Sequence, residues 1–96
     1  MTHNASIGRI VHYYQGDWEA PTNYSEDQRR GWYGANGTRY HPAMITHVHT
    51  DDCVNLMVFW DAGVPSAKTS MTRLPDEVFV EGMHCTNSGW RWPTRV

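Results

Sequence analysis

The sequence predicts an all-β fold, a small barrel of about five strands with a long first loop, in a single domain over residues 1–96. Strand-type segments with a period of two recur along the chain, and no segment shows a convincing helical period. A chain of 96 residues can bury one small core but not two. Five Trp and five Tyr argue against disorder. Together these observations favour a barrel or meander of short strands.

The first three strands are predicted from Ile, Val, Tyr and alternating apolar residues, at residues 7–14, 43–49 and 53–60. The third strand has the clearest alternation, and we expect its core face to be Val54, Leu56, Val58 and Trp60. Its other face carries Met57 and Phe59, which are therefore expected to point outward. Residues 50–52 are predicted to join the second and third strands as a short hairpin loop.

The remaining secondary-structure elements are predicted from weaker sequence patterns. Residues 68–74 predict a fourth strand and residues 89–93 a closing strand that stops at Pro93. A single helical turn is expected over residues 25–29, with Ser25 as its N-cap. Two long connections, residues 15–42 and 75–88, interrupt the strands. Connections of this length in a compact domain usually carry function or local structure.

Charge and composition exclude several classes of function. The formal net charge of −2 removes the simple argument for non-specific nucleic-acid binding. No apolar run approaches the roughly 18 residues of a membrane span, and the first residues lack the pattern of a signal peptide. We therefore expect no membrane contact, a cytoplasmic location, and reduced thiols at Cys53 and Cys85.

Several motifs of the chain occur together in a known group of proteins. They are IGRIVHY (7–13), PAMIT (42–46), VNLMVF (54–59) with DAG (61–63), TS (69–70) and WRWP (90–93). In order and spacing they resemble a family of small uncharacterised phage and prophage proteins. The resemblance implies an SH3-like β-barrel and a phage-encoded protein that acts in the host cytoplasm. It implies no catalytic residue, and residues 16–40 match no pattern of that family.

The segment of residues 28–40 combines arginines, aromatic residues and glycines without any acid. Arginine suits phosphate or carboxylate, and aromatic rings offer stacking faces for bases. The candidate ligand-binding residues are Arg29, Arg30, Trp32, Tyr33, Arg39 and Tyr40. The alternative is a solvated loop whose aromatics pack on the barrel, with Arg29 and Arg30 paired to Glu26 and Asp27.

Three other sets of residues have both a functional and a structural interpretation. A metal site would need His47, His49, Cys53, His84 and Cys85 to converge, but their spacing matches no recognised zinc motif. Adjacent Asp51 and Asp52 suit a tight turn better than a catalytic pair. Trp90 and Trp92 share a face and are expected in the core rather than on a binding platform. We expect no metal, no cofactor and no catalytic residue.

The sequence thus predicts a non-enzymatic binding protein. Its most specific form is a host-defence antagonist that captures a small anionic, nucleotide-type signal. The alternative is a protein–protein interaction module, either an inhibitor of a host protein or an accessory of virion assembly. Because Met57 and Phe59 are expected to be apolar and outward-facing, the sequence also predicts a homo-oligomer.

Overall fold

The computed structural model describes residues 4–75 and 87–93 of the chain. Over these residues it contains five strands: β1 (Ile10–Tyr14), β2 (Tyr40–Val48), β3 (Cys53–Val58), β4 (Ser66–Thr72) and β5 (Gly89–Arg91). They form one antiparallel sheet in the order β4-β3-β2-β1-β5. The prediction of an all-β, SH3-like small barrel with a long first loop is confirmed by this five-stranded sheet.

The sheet curls into a half-barrel whose two edge strands approach each other. Irregularities in the register fall between Ile45 and His47 and between Val54 and Leu56, where a bulge increases local twist. Beyond β4, the Leu74 amide donates to the Trp90 carbonyl at 2.9 Å. This contact joins the end of β4 to β5 and brings the sheet towards closure.

The core lies on the concave side of the sheet and receives side chains from four of its five strands. Eight side chains there are fully buried: Val11, Tyr13, Ala43, Ile45, Val54, Leu56, Val58 and Trp90. Three of the four residues predicted for the core face of β3 are among them, and Trp90 is a core residue as expected. Trp60 follows the end of β3, is half-buried, and packs against the core. Trp92 meets Trp90 edge-on, with ring centroids 5.3 Å apart.

The predicted helical turn is present as α1 (Glu26–Arg30). The Ser25 hydroxyl accepts a hydrogen bond from the Gln28 amide at 3.2 Å, and the Gln28 side chain accepts one from the Ser25 amide at 2.7 Å. This reciprocal pair is a capping box, which satisfies two amides at the helix start. The first strand is three residues shorter than predicted, because the chain turns at Gly8 with a φ of +92° before β1 begins at Ile10.

Antiparallel pairing of β2 and β3 brings two loops to the same end of the barrel. The first loop (residues 15–39) enters β2 there, and the β3–β4 connection (residues 59–65) leaves β3 there. The first loop contains two 3-10 turns, Asp17–Glu19 and Ala35–Gly37, on either side of α1. No helix among the described residues is long and apolar enough to cross a membrane.

Candidate functional site

Arg39 holds the first loop together from within. Its Nη1 donates to the Asp17 carboxylate at 2.6 Å, its Nε to the Trp32 carbonyl at 2.7 Å, and its Nη2 to the Arg29 carbonyl at 2.9 Å. The side chains of Arg39 and Asp17 are only 10% and 8% exposed. The guanidinium that the sequence assigned to a phosphate is therefore directed into the loop, where it ties three segments together.

Of the other predicted ligand residues, Arg29 and Arg30 line a small pocket of about 210 Å³, and Trp32, Tyr33 and Tyr40 do not belong to it. The Arg29 guanidinium donates to the carbonyls of Trp18 and Ala20, at 3.2 and 3.4 Å. Arg30 is exposed and lies 3.7 Å from Glu26, which is the pairing that the alternative interpretation of this loop expected. Tyr33 is 79% exposed.

A row of contacting aromatic rings and guanidinium groups runs from the first loop to β5. The Arg39 guanidinium lies 5.3 Å from the ring centroid of Trp32 and 5.8 Å from that of Tyr14. The Tyr14 and Tyr40 rings are 5.3 Å apart, and the Arg91 guanidinium sits 4.1 Å from the Tyr40 ring. Tyr40 therefore connects the first loop to the outer, convex face of the sheet.

A cleft of about 440 Å³ lies between the two loops at this end of the barrel. Its volume is in the range of small-molecule sites. Half of its lining residues carry an aromatic ring, namely Tyr40, His41, Phe59 and Trp60, and the others are Asn36, Thr38, Pro42 and Asp61. Only Tyr40 among the six residues predicted for ligand binding belongs to it.

The floor of the cleft is held rigidly by buried side chains. His41 is 2% exposed, and its Nε2 lies 2.8 Å from the side-chain oxygen of Gln15. That oxygen also accepts from the Ala35 amide at 3.0 Å, which fixes the second 3-10 turn. The Trp60 ring meets His41 edge-on at 4.7 Å and donates from Nε1 to the Ser66 hydroxyl at 2.8 Å. Burial lowers the pKa of His41, so the floor is uncharged at neutral pH.

Two basic residues lie beside the cleft on the outer face of the sheet. His12 in β1 is the register partner of both Arg91 in β5 and Pro42 in β2. Burial and the neighbouring Arg91 guanidinium lower the pKa of His12. The buried His12 Nδ1 has no hydrogen-bond partner among the residues that the structure describes. An unsatisfied buried nitrogen is costly.

The predicted metal and cysteine features are only partly within the described residues. The His47 and His49 rings are 4.6 Å apart, and Cys53 is a half-buried free thiol. Over residues 4–75 and 87–93, no three His, Cys, Asp or Glu side chains converge as metal ligands. His84 and Cys85 lie outside the described residues.

Sequence reasoning missed most of the cleft. Phe59, Trp60 and Asp61 come from the β3–β4 connection, and His12 and Arg91 come from the two strands at the far side of Tyr40. The signal in the sequence was alternation. His12 and Arg91 occupy outward positions on strands whose inward positions are apolar, and Phe59 continues the alternation of β3 just beyond its end. Searches of family models, of curated proteins and of solved structures found no match to the chain.

Proposed function

We propose that this chain is a non-enzymatic binding protein that captures a small anionic ligand carrying a planar ring, of the nucleotide type. The proposal rests on one observation about Tyr40. Its ring both lines the 440 Å³ cleft and lies directly under the Arg91 guanidinium. A ring in the cleft and an anionic group towards Arg91 would then share one continuous surface.

The cleft suits a planar ring because its walls are aromatic and already positioned. Tyr40, Phe59 and Trp60 offer ring faces or edges from both loops, and the hydrogen bond from Trp60 to Ser66 fixes one of them. Stacking of a base on an aromatic side chain contributes about 1–3 kcal/mol. A preformed wall also lowers the entropy cost of binding.

Arg91 supplies a positive charge on the outer face of the sheet, close to the cleft. Neighbouring strands are about 4.8 Å apart, so the Cα atoms of the row Pro42, His12, Arg91 span about 10 Å. The Arg91 side chain reaches back over this row and places its guanidinium 4.1 Å from the ring of Tyr40, which lines the cleft. A phosphate attached to a ring in the cleft would therefore lie on the side of Tyr40 where the guanidinium sits. Arginine binds phosphate oxygens through its planar fork.

The proposal keeps the ligand class that the sequence suggested and changes the residues that would hold it. Tyr40 stays as a stacking residue, and Arg91 takes the place of Arg39 as the principal cation. Arg30 and Tyr33 lie outside the cleft, and their participation stays a separate prediction. Following the resemblance to phage proteins, we propose that the protein acts in the host cytoplasm as a host-defence antagonist that withdraws a nucleotide signal.

A second candidate is a protein-interaction module. Ile10, Met44, Met57 and Ala67 are successive register partners across four strands, so their side chains form an apolar row on the outer face. Ile10 and Met44 are 47% and 36% exposed. Contiguous exposed apolar surface often marks an interface, and pairing of two copies through this row would give the homo-oligomer that the sequence predicts. Light scattering of Met57→Asp would test it, because a charge in the row should dissociate the assembly.

Calorimetry with mono-, di- and cyclic nucleotides tests the first proposal. We expect binding by at least one class of nucleotide and a loss of about 1–3 kcal/mol of affinity in Phe59→Ala. Arg91→Gln should weaken binding and reduce its salt dependence, because one phosphate contact is lost. Arg73→Gln, which removes a cation paired with Asp52 outside the cleft, is the matched control. No binding across the panel would refute the proposal and leave the interaction module.

A further inference from the structure

We infer that the ring held in the cleft is a guanine-type base, whose N1–H and exocyclic N2–H groups donate to the Asp61 carboxylate. The inference rests on the proposed function and names the base within it. Asp61 is the one carboxylate that lines the cleft, and it forms no ion pair with any residue in the described ranges.

The chemistry of the carboxylate selects among bases. An ionised carboxylate only accepts hydrogen bonds, through two oxygens side by side. Guanine presents two adjacent N–H donors on one edge, which match those two oxygens. Hypoxanthine presents one donor there, and adenine presents the bare N1 acceptor, whose lone pair would face the negative charge. A site built to accept two donors rejects analogues that lack them.

The surroundings of Asp61 leave its charge available to a ligand. His41, the one titratable base that lines the cleft, has a pKa that burial lowers, although the nearby Glu19 and Asp61 carboxylates partly oppose this shift. Arg91 lies across the Tyr40 ring, on the side proposed for the phosphate. The cleft therefore has an acceptor in its lining and a cation on the Tyr40 ring, and a guanine nucleotide carries donors on its base and an anion on its phosphate.

The turn that carries Asp61 is positioned from both sides. Trp60 precedes it and is fixed by the hydrogen bond of its Nε1 to Ser66, which lies just after the turn. Gly63 allows the chain to reverse with a φ of +114°. A carboxylate presented by such a closed turn loses little freedom when it binds, so its two hydrogen bonds discriminate well.

Calorimetry of the full chain with GMP, IMP and AMP tests the inference. We expect GMP to bind at least tenfold more tightly than AMP, with IMP between them. In Asp61→Asn, one accepting oxygen becomes a donating amide, so GMP should lose at least tenfold in affinity and the ratio of GMP to AMP affinity should fall towards one. Asp51→Asn changes an exposed carboxylate of the opposite hairpin and should leave the ratio unchanged.

The possible results separate this inference from the proposed function. Equal affinity for the three purine nucleotides, or an unchanged ratio in Asp61→Asn, would overturn the guanine assignment and leave nucleotide capture standing. No binding by any nucleotide would overturn both. Binding of arginine amide that depends on Asp61 would show that the cleft takes a cation instead. If Asp61→Asn does not fold, the ranking of the three nucleotides on the unaltered protein decides.

Discussion

Replacing Arg39 should unfold the first loop and cost the whole protein much of its stability. Arg39→Ala removes the partner that lies 2.6 Å from the Asp17 carboxylate and the donors to the Trp32 and Arg29 carbonyls. The change also removes the cation that packs on Tyr14. The loop thereby loses its links between the first 3-10 turn, the end of α1 and the start of β2.

The expected loss of stability follows from the burial of the ion pair between Asp17 and Arg39. Removing one partner of a buried ion pair costs about 3–5 kcal/mol, because the remaining charge keeps its desolvation penalty. Asp17 and Arg39 are 8% and 10% exposed, so this range applies to them. In a chain of this size each kcal/mol lowers Tm by about 4–8 °C, so Tm should fall by at least about 12 °C. Arg30→Ala, which breaks an exposed pair, should cost only about 0.3–0.5 kcal/mol.

Urea unfolding followed by tryptophan fluorescence measures both variants in the same buffer. A double-mutant cycle of Arg39→Met with Asp17→Asn then isolates the coupling between the two side chains, which should exceed about 1 kcal/mol. A cost below about 1 kcal/mol in Arg39→Ala, or a cost equal to that of Arg30→Ala, would refute the structural role. Arg39 would then return to the candidates for ligand binding.

Three further changes test the fold and its charges. Leu56→Ala should cost about 2–5 kcal/mol through a cavity, and Met57→Ala on the outer face much less; equal costs would mean that both faces of β3 are buried. The free energy of unfolding should fall as the pH drops below the ordinary histidine pKa of about 6.5. Burial lowers the pKa of His41, so in this range the unfolded chain takes up a proton that the native state does not. Measured over the same pH range, the free energy of unfolding of His41→Gln should fall less steeply than that of the unaltered protein. An equally steep fall would contradict the assignment of this pH dependence to His41. Gly89→Ala should destabilise by about 1–3 kcal/mol, because its Cβ would lie 2.5 Å from the Thr72 carbonyl where the barrel closes, and an unchanged urea midpoint would contradict this close approach.

Local sequence predicted the strands and the helical turn. Val54, Leu56 and Val58 alternate with polar or half-buried neighbours, and this period of two reports directly which face of β3 is buried. Ser25 and Gln28 are three residues apart, so the capping box of α1 is also a local feature. The positions of strand ends were less accurate, because a turn such as that at Gly8 replaces pairing for reasons that lie outside the strand.

The candidate site was decided by tertiary structure. Arg39 reads as a free cation in its own segment, and only the fold places the Asp17 carboxylate, 22 residues earlier, against it. The cleft unites residues 36–42 with residues 59–61, and β-sheet register sets Arg91 beside His12 and Tyr40. Periodicity shows which way a side chain points on its own strand but not which strand lies next to it. The partner of each charge and the walls of the cleft depend on long-range pairing, so they became visible only when the sheet was assembled.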